Sequence, residues 1–289
     1  MEDFLLIYVK KYLSFKVHLR FVFYDVAIGG IKMDKENIIN VMKRYELKYI
    51  LNKEQLHYFK KNILSHMKVD KYGLTTISSL YYDTPNYNII SRSIEKPNYK
   101  EKIRLRSYGL ASKDSKVYLE IKRKSESVVY KRRIVTKEDT ANKFFVNEEE
   151  LENSQIAKEL VAFKEKYVTL EPKYLIIYDR IAYYQDDSDV RITLDMNPRY
   201  RMNDLNLHTS TEGTPLLNEG EAILEIKVQH SIPLWLVAIL TQGKIYQSSF
   251  SKVGEAHKKE MANRYNYQLR HHHETSYQLE GGYQYGFTI

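Results

Sequence analysis

Leu224-Glu225-Ile226-Lys227 repeats, residue type for residue type, the stretch Leu119-Glu120-Ile121-Lys122. The same alternation of charge and aliphatic recurs at Ile103-Arg104-Leu105-Arg106 and at Val190-Arg191-Ile192-Thr193-Leu194-Asp195. Successive strand side chains point to opposite faces, so each stretch reads as a β-strand with its charges on one side and its aliphatics on the other. One such strand would signify only the solvated outer face of an antiparallel sheet. Here the polar slots hold almost nothing but Arg, Lys and Glu, which argues for a charged face with a common purpose.

Outward from these four, the chain continues in strand rhythm. Arg44 to Ile50 places Arg44, Glu46 and Lys48 in phase, and Asn52 then caps a helix with Gln55 at the capping-box position and Leu56, Phe59, Ile63 and Leu64 on one face. A strand at Ser78 to Tyr82 stops at the turn Asp83-Thr84-Pro85-Asn86. Tyr130 to Val135 puts Lys131 and Arg133 on one face, residues 137–167 are acidic with Leu160, Phe163 and Tyr167 at helix spacing, and Tyr174 to Tyr183 is a strand containing Tyr178-Asp179-Arg180. After a polar loop from Gly213 to Gly220 and the Glu225 strand, Ile232 to Leu240 reads as a buried helix with Pro in its first turn, about half the length a membrane crossing needs.

Composition narrows the function classes. At 289 residues the chain can bury one sizeable core, and its net charge of +8 suits a polyanionic partner without selecting nucleic acid, membrane surface or phosphate compound. The absence of cysteine excludes disulfides, thiolate metal sites and Cys nucleophiles and fits a cytoplasmic location. Residues 1–33 form an N-terminal extension, read either as an added helix or strand or as sequence upstream of a start at Met33 or Met42. Residues 34–265 form the single domain, and 266–289 a polar tail in which His271-His272-His273 reads as solvated loop rather than a metal site.

The in-phase ionic residues are Glu46, Lys48, Arg104, Arg106, Glu120, Lys122, Lys131, Arg133, Arg180, Arg191, Asp195, Glu225 and Lys227, with cations in excess. A dry interior cannot hold them unpaired, because a buried uncompensated charge costs several kcal/mol. A flat sheet backed by helices accommodates them, and so does a closed antiparallel β-barrel with a charged tunnel and helices packed on its outside; this α+β barrel is the fold expected here, since it gives the charges one destination. Such a lumen wants a multivalent anion and, beside its carboxylates, a hard divalent cation, Mn²⁺ or Mg²⁺. Glu beside Lys on one strand face argues against nucleic acid as the partner, because carboxylates repel a phosphate backbone.

Eight motifs stand in the order of a known family: Arg44-Tyr45-Glu46-Leu47-Lys48-Tyr49, Leu80-Tyr81-Tyr82-Asp83-Thr84, Lys102-Ile103-Arg104-Leu105-Arg106, Leu119-Glu120-Ile121-Lys122, Tyr178-Asp179-Arg180, Val190-Arg191-Ile192, Leu224-Glu225-Ile226-Lys227 and Phe250-Ser251-Lys252. Over about residues 42–265 the chain resembles the VTC domain, the polyphosphate polymerase module of the vacuolar transporter chaperone family and a member of the CYTH-like triphosphate tunnel metalloenzymes. The resemblance implies that Lys48, Arg104, Arg106, Arg180, Arg191 and Lys252 act on the phosphates. It further implies that Lys122, Lys131, Arg133, Tyr178, Lys227 and Ser251 bind substrate, and that Glu225 holds the metal. Glu46 and Glu120 stand open between metal ligand and ion-pair partner, and Asp195 between an outer-shell and a structural group. The activity implied is transfer of the ATP γ-phosphate to inorganic polyphosphate; a metal-dependent triphosphatase and a non-catalytic module binding polyphosphate or inositol phosphate are the alternatives. Arg44 occupies the first position of the superfamily's Glu-x-Glu-x-Lys signature, which favours the VTC branch over the triphosphatases. A membrane-protein partner for the product is not legible in the sequence.

Overall fold

The computed structural model describes residues 45–112, 114–125 and 128–280, with side chains to residue 268. The 1–33 extension, Arg44 and the side chains of His271-His272-His273 lie outside the described residues. Among the described residues eleven strands form one sheet, every ladder of which is antiparallel, in the order β11-β1-β10-β8-β7-β3-β4-β5-β6, with β2 and β9 short additions on β7 and β8. In chain order the strands are β1 (Tyr45–Leu51), β2 (Lys68–Val69), β3 (Thr75–Asp83), β4 (Tyr99–Tyr108), β5 (Lys116–Ser125), β6 (Val128–Lys137), β7 (Glu171–Tyr184), β8 (Arg191–Arg201), β9 (Thr214–Pro215), β10 (Ala222–Val228) and β11 (Gln247–Ser248). The helices are α1 (Lys53–Ile63), α2 (Asn88–Ile94), α3 (Glu138–Phe145), α4 (Gln155–Tyr167), α5 (Leu234–Gln242) and α6 (Lys252–Glu280).

The alternation decides which face is buried against what. Leu119, Ile121, Ile103, Leu105, Leu175 and Ile177 pack with Phe144, Phe145, Leu160 and Phe163 of α3 and α4, while Ile192, Leu194, Leu224, Ile226 and Leu51 pack with Phe59, Ile63, Leu236 and Ile239 of α1 and α5. Burial of these side chains at about 1.5–3 kcal/mol each is the main stabilising term. The start of α1 is as the sequence predicts: Asn52 Oδ1 accepts from Gln55 N at 2.8 Å and the Gln55 side chain returns the bond to Asn52 N at 3.1 Å.

The charged face curls inward. Along the ladders β10, β8, β7, β3 and β4 separate β1 from β5, yet Lys122 Nζ of β5 lies 3.5 Å from Glu46 Oε2 of β1. Among the described residues, however, the expected closed barrel is not completed by backbone pairing: β6 ends the sheet and makes no ladder with β1 or β11.

Further expectations are corrected. Not every helix lies outside: β3 and β7 turn Ile77, Tyr81, Tyr174, Ile176 and Tyr178 inward, where they bury against Ile90 of α2 and Val253 and Ala256 of α6. His257 fastens α6 there, its ring nitrogens 3.1 Å from Ser91 Oγ and 3.0 Å from the Tyr174 hydroxyl. The polar tail is helical through Glu280 as the continuation of α6, and α5 is only partly buried, since Leu234 is 86% exposed. The helical stretch 137–167 is two helices, broken between Phe145 and Gln155, and α2 is a helix that the sequence pattern does not predict. Among the described residues no helix is long and apolar enough to cross a membrane.

Candidate functional site

Three clusters occupy the inner face. The first follows from the β4, β5 and β6 registers, which set Arg104 and Arg133 on either side of Glu120. Arg104 Nε and Nη2 reach Glu120 Oε2 at 2.8 and 2.7 Å, Lys131 Nζ reaches Oε1 at 2.6 Å, and Arg106 Nε stands 3.7 Å away. Glu120 is 2% exposed; burial alone would raise its carboxyl, but Arg104, Arg106 and Lys131 hold it down at about 2. Arg133 lies over the Tyr118 ring at 5.1 Å, on the rim of this cluster.

The second cluster joins β7, β8 and α6. Arg180 makes a two-pronged bond to Asp195 at 2.5 and 2.8 Å, the fork geometry that suits guanidinium to carboxylate, and Lys252 at the start of α6 pairs with the same carboxylate. Both cations flank the Tyr178 ring, Arg180 at 5.1 Å and Lys252 at 4.3 Å. Ser251 caps α6, its hydroxyl accepting from Gly254 N at 3.3 Å and from Lys102 Nζ at 3.1 Å.

The third lies on the β1–β10 ladder, where Lys48 stands opposite Glu225 and Glu46 opposite Lys227. Glu225 pairs with Lys227 and lies 3.8 Å from Lys48, which also sits 3.3 Å from Glu46. Burial would raise the Glu225 carboxyl, but Lys227, Lys48 and Arg180 hold it well below the usual carboxylate range.

These placements sort the residues singled out by sequence. Lys48, Arg104, Arg106, Lys122, Lys131, Arg133, Tyr178, Arg180, Lys227, Ser251 and Lys252 share the inner face with Glu46, Glu120 and Glu225. Arg191 does not join them: its guanidinium is turned onto the carbonyls of Ser188 and Val190, both at 3.0 Å, and staples the β7–β8 turn. Glu120 pairs with Arg104 and Lys131 and has Arg106 beside it, while Asp195 joins Arg180 to Lys252.

Sequence reasoning missed Lys102 as a site residue. It precedes Arg104 in the same strand phase, which was the available signal, and it links β4 to the cap of α6. Burial, with Lys100, Lys122 and Lys48 nearby, pushes its ammonium down to about 8 despite the opposing pull of Tyr81. Lys102 also lines a cavity of about 540 Å³ with Lys48, Lys96, Lys100, Lys122 and Lys124, a lysine-rich mouth beside the more buried arginines.

Orphaned polar atoms point the same way. Among the described residues, the buried side-chain atoms without a hydrogen-bond partner include Ser79 Oγ, Arg106 Nε and Thr193 Oγ1 on the inner face, Ser79 opposite Arg106 and Thr193 opposite Glu225; Ser78 Oγ, Glu138 Oε2 and Ser248 Oγ are further such atoms. Buried polar groups are ordinarily satisfied, so these inner-face atoms stand out as donors with hydrogen bonds still to make. The pairing also has a stability consequence. A carboxyl depressed in the fold stabilises it above its unfolded value of about 4.3, and that contribution is lost as pH falls through the folded one. Between pH 5 and pH 2 the midpoint of urea unfolding is expected to fall, and to fall less in Glu120→Gln; equal slopes for the two proteins would rule out Glu120 as a source.

The VTC domain family model matches residues 43–260. The chain belongs to the VTC domain family. None of the curated proteins compared with it matches. Solved structures similar to this VTC domain include a candidate adenylate cyclase from Bacillus halodurans, at 12% identity and TM-score 0.46, covering 73% of this chain and 96% of that one. A candidate adenylyl cyclase from Hippeastrum, described as having a dominant triphosphatase activity, aligns at 17% identity and TM-score 0.44, over 72% of this chain and 92% of its own. A candidate adenylate cyclase from Vibrio parahaemolyticus aligns at 12% identity and TM-score 0.40, over 74% and 98%.

Proposed function

We propose that this VTC domain is a polyphosphate polymerase, transferring the γ-phosphate of ATP to the end of an inorganic polyphosphate chain held on the inner cations. Family membership supports an enzyme acting on phosphates. One observation favours transfer over hydrolysis: all four inner carboxylates, Glu46, Glu120, Asp195 and Glu225, are shifted below their ordinary values by neighbouring cations. A hydrolase must activate water, and a general base works best with a pKa near the operating pH. Carboxylates held this low are poor bases, whereas a polyphosphate terminus is already largely ionised and needs only to be positioned and shielded.

In this reading Arg104, Arg106, Arg180, Lys48 and Lys252 grip the phosphates, and Lys102, Lys122 and Lys131 receive the flanking charge. Among the described residues no cluster of three His, Asp or Glu could hold a metal unaided. Glu225, with the orphaned Thr193 hydroxyl opposite it and Glu46 diagonal to it, fits Mg²⁺ or Mn²⁺ held jointly with phosphate oxygens, the usual arrangement for such ions. When bound, the ion would neutralise charge on the transferred phosphoryl group.

Incubation of the protein with ATP and Mn²⁺, followed by gel analysis, tests this. Long acid-labile chains with ADP are expected, and Arg104→Ala should abolish them while the protein remains folded by circular dichroism. Free phosphate without chains would mark a triphosphatase, and tight polyphosphate binding without turnover a binding module.

A further inference from the structure

Tyr81 belongs to no role assigned above, yet it stands where the aromatic and ionic parts of the inner face meet. Its ring packs with Ile77, Tyr174, Ile176 and Val253, and the residue is 9% exposed. Its hydroxyl points the other way: β3 sets Tyr81 opposite Arg104, and Arg104 Nη1 donates to the phenol oxygen at 2.8 Å. The opposite side of the same guanidinium is held by Glu120. A guanidinium has five N–H donors; Glu120 and Tyr81 take three, leaving two for a ligand.

We propose that Tyr81 is a positioning residue of the anion site, the second anchor that fixes the Arg104 guanidinium and presents its two free N–H groups to phosphate. This rests on the reading of the inner face as a phosphate site. Arginine has many rotamers, and an anchor on each side removes the freedom that binding would otherwise have to remove. Glu120 alone would leave the guanidinium to pivot about one carboxylate oxygen.

The groups facing the phenol make it responsive to what binds. From β4 these are Arg104, Lys102 and Arg106; from β1, Lys48; from β7, Tyr174 and Tyr178, the former bonded to His257 of α6; and α2 and α6 add the apolar Ile90, Val253 and Ala256. Burial would raise the phenol, but Arg104, Lys102 and Arg106 outweigh it and bring it down to about 8. A bound polyanion offsets those cations and moves the phenol back up.

The test uses tripolyphosphate as the probe, with the intact chain and its Tyr81→Phe variant, which keeps the ring and removes the oxygen. By calorimetry at pH 7 the variant is expected to bind about 2–10-fold more weakly, the effect of one hydrogen bond on an otherwise intact site. In the near-ultraviolet tyrosinate band the unliganded protein should gain one tyrosinate between pH 7 and pH 9 that Tyr81→Phe lacks, and tripolyphosphate should shift it to higher pH. Equal affinities, or titrations of the two proteins that superimpose, would overturn the role of Tyr81. Failure of the unaltered protein to bind tripolyphosphate at all, with its tyrosinate step intact, would instead overturn the phosphate site and the inference with it.

Discussion

Asp195→Asn is expected to destabilise the fold by about 3–5 kcal/mol, the usual cost of removing one partner from a buried ion pair. Asp195 is fully buried, and its two oxygens are the principal counter-charge for Arg180 and Lys252. The amide keeps the shape but removes the charge, leaving a guanidinium and an ammonium facing each other over Tyr178. For a domain of this size that corresponds to a fall in Tm of about 6–20 °C. The consequence reaches further than strength, because Lys252 opens α6 and its pairing helps to seat the capped first turn against β4. Tripolyphosphate should therefore stabilise Asp195→Asn more than it stabilises the unaltered protein, since an anion restores the missing charge and ligand stabilisation follows affinity. Thermal melts with and without tripolyphosphate measure both effects. A loss below about 1 kcal/mol would show that water or relaxation already neutralises the two cations.

The position of the inner residues was legible because strand parity is rigid. Once Arg104, Glu120 and Glu225 are placed in strands, period two sends them to one face and Ile103, Leu119 and Leu224 to the other, whatever the rest of the chain does. The partners were less legible. Whether Glu120 faced a metal or three cations depended on the β4–β5–β6 register, and nothing in Leu-Glu-Ile-Lys distinguishes it from its twin at Glu225. Arg191 has the right parity, but as the first residue of β8 it finds the carbonyls of its own turn within reach before it finds the site. Closure was not legible at all, since alternation specifies a buried face and is silent on whether the last strand pairs with the first. The aromatic inner faces of β3 and β7 are legible only together with α6, because Tyr81 and Tyr174 look like ordinary strand residues until a helix is laid against them.

Glu225→Gln separates the two fates of the twin motifs. Glu120 is the hub of a closed network and Glu225 is not: its carboxylate pairs with Lys227 and lies only loosely against Lys48, beside the unsatisfied Thr193 hydroxyl. If Glu225 holds the divalent ion, the glutamine variant should lose on the order of 100-fold or more in Mn²⁺-dependent turnover, since even residues that merely support a metal ligand cost 10–100-fold. Its affinity for tripolyphosphate without metal should rise, because Lys48, Lys227 and Arg180 then lose a counter-charge that competes with the ligand. An ion-pair spacer predicts only the second change, with the Mn²⁺ concentration for half-maximal rate unmoved. The same substitution at Glu120 should leave the Mn²⁺ dependence intact and loosen Arg104, so that affinity for the anion falls. Turnover by Glu225→Gln at the unaltered rate, with the same Mn²⁺ dependence, would remove the metal from β10 and reduce both motifs to charge spacers.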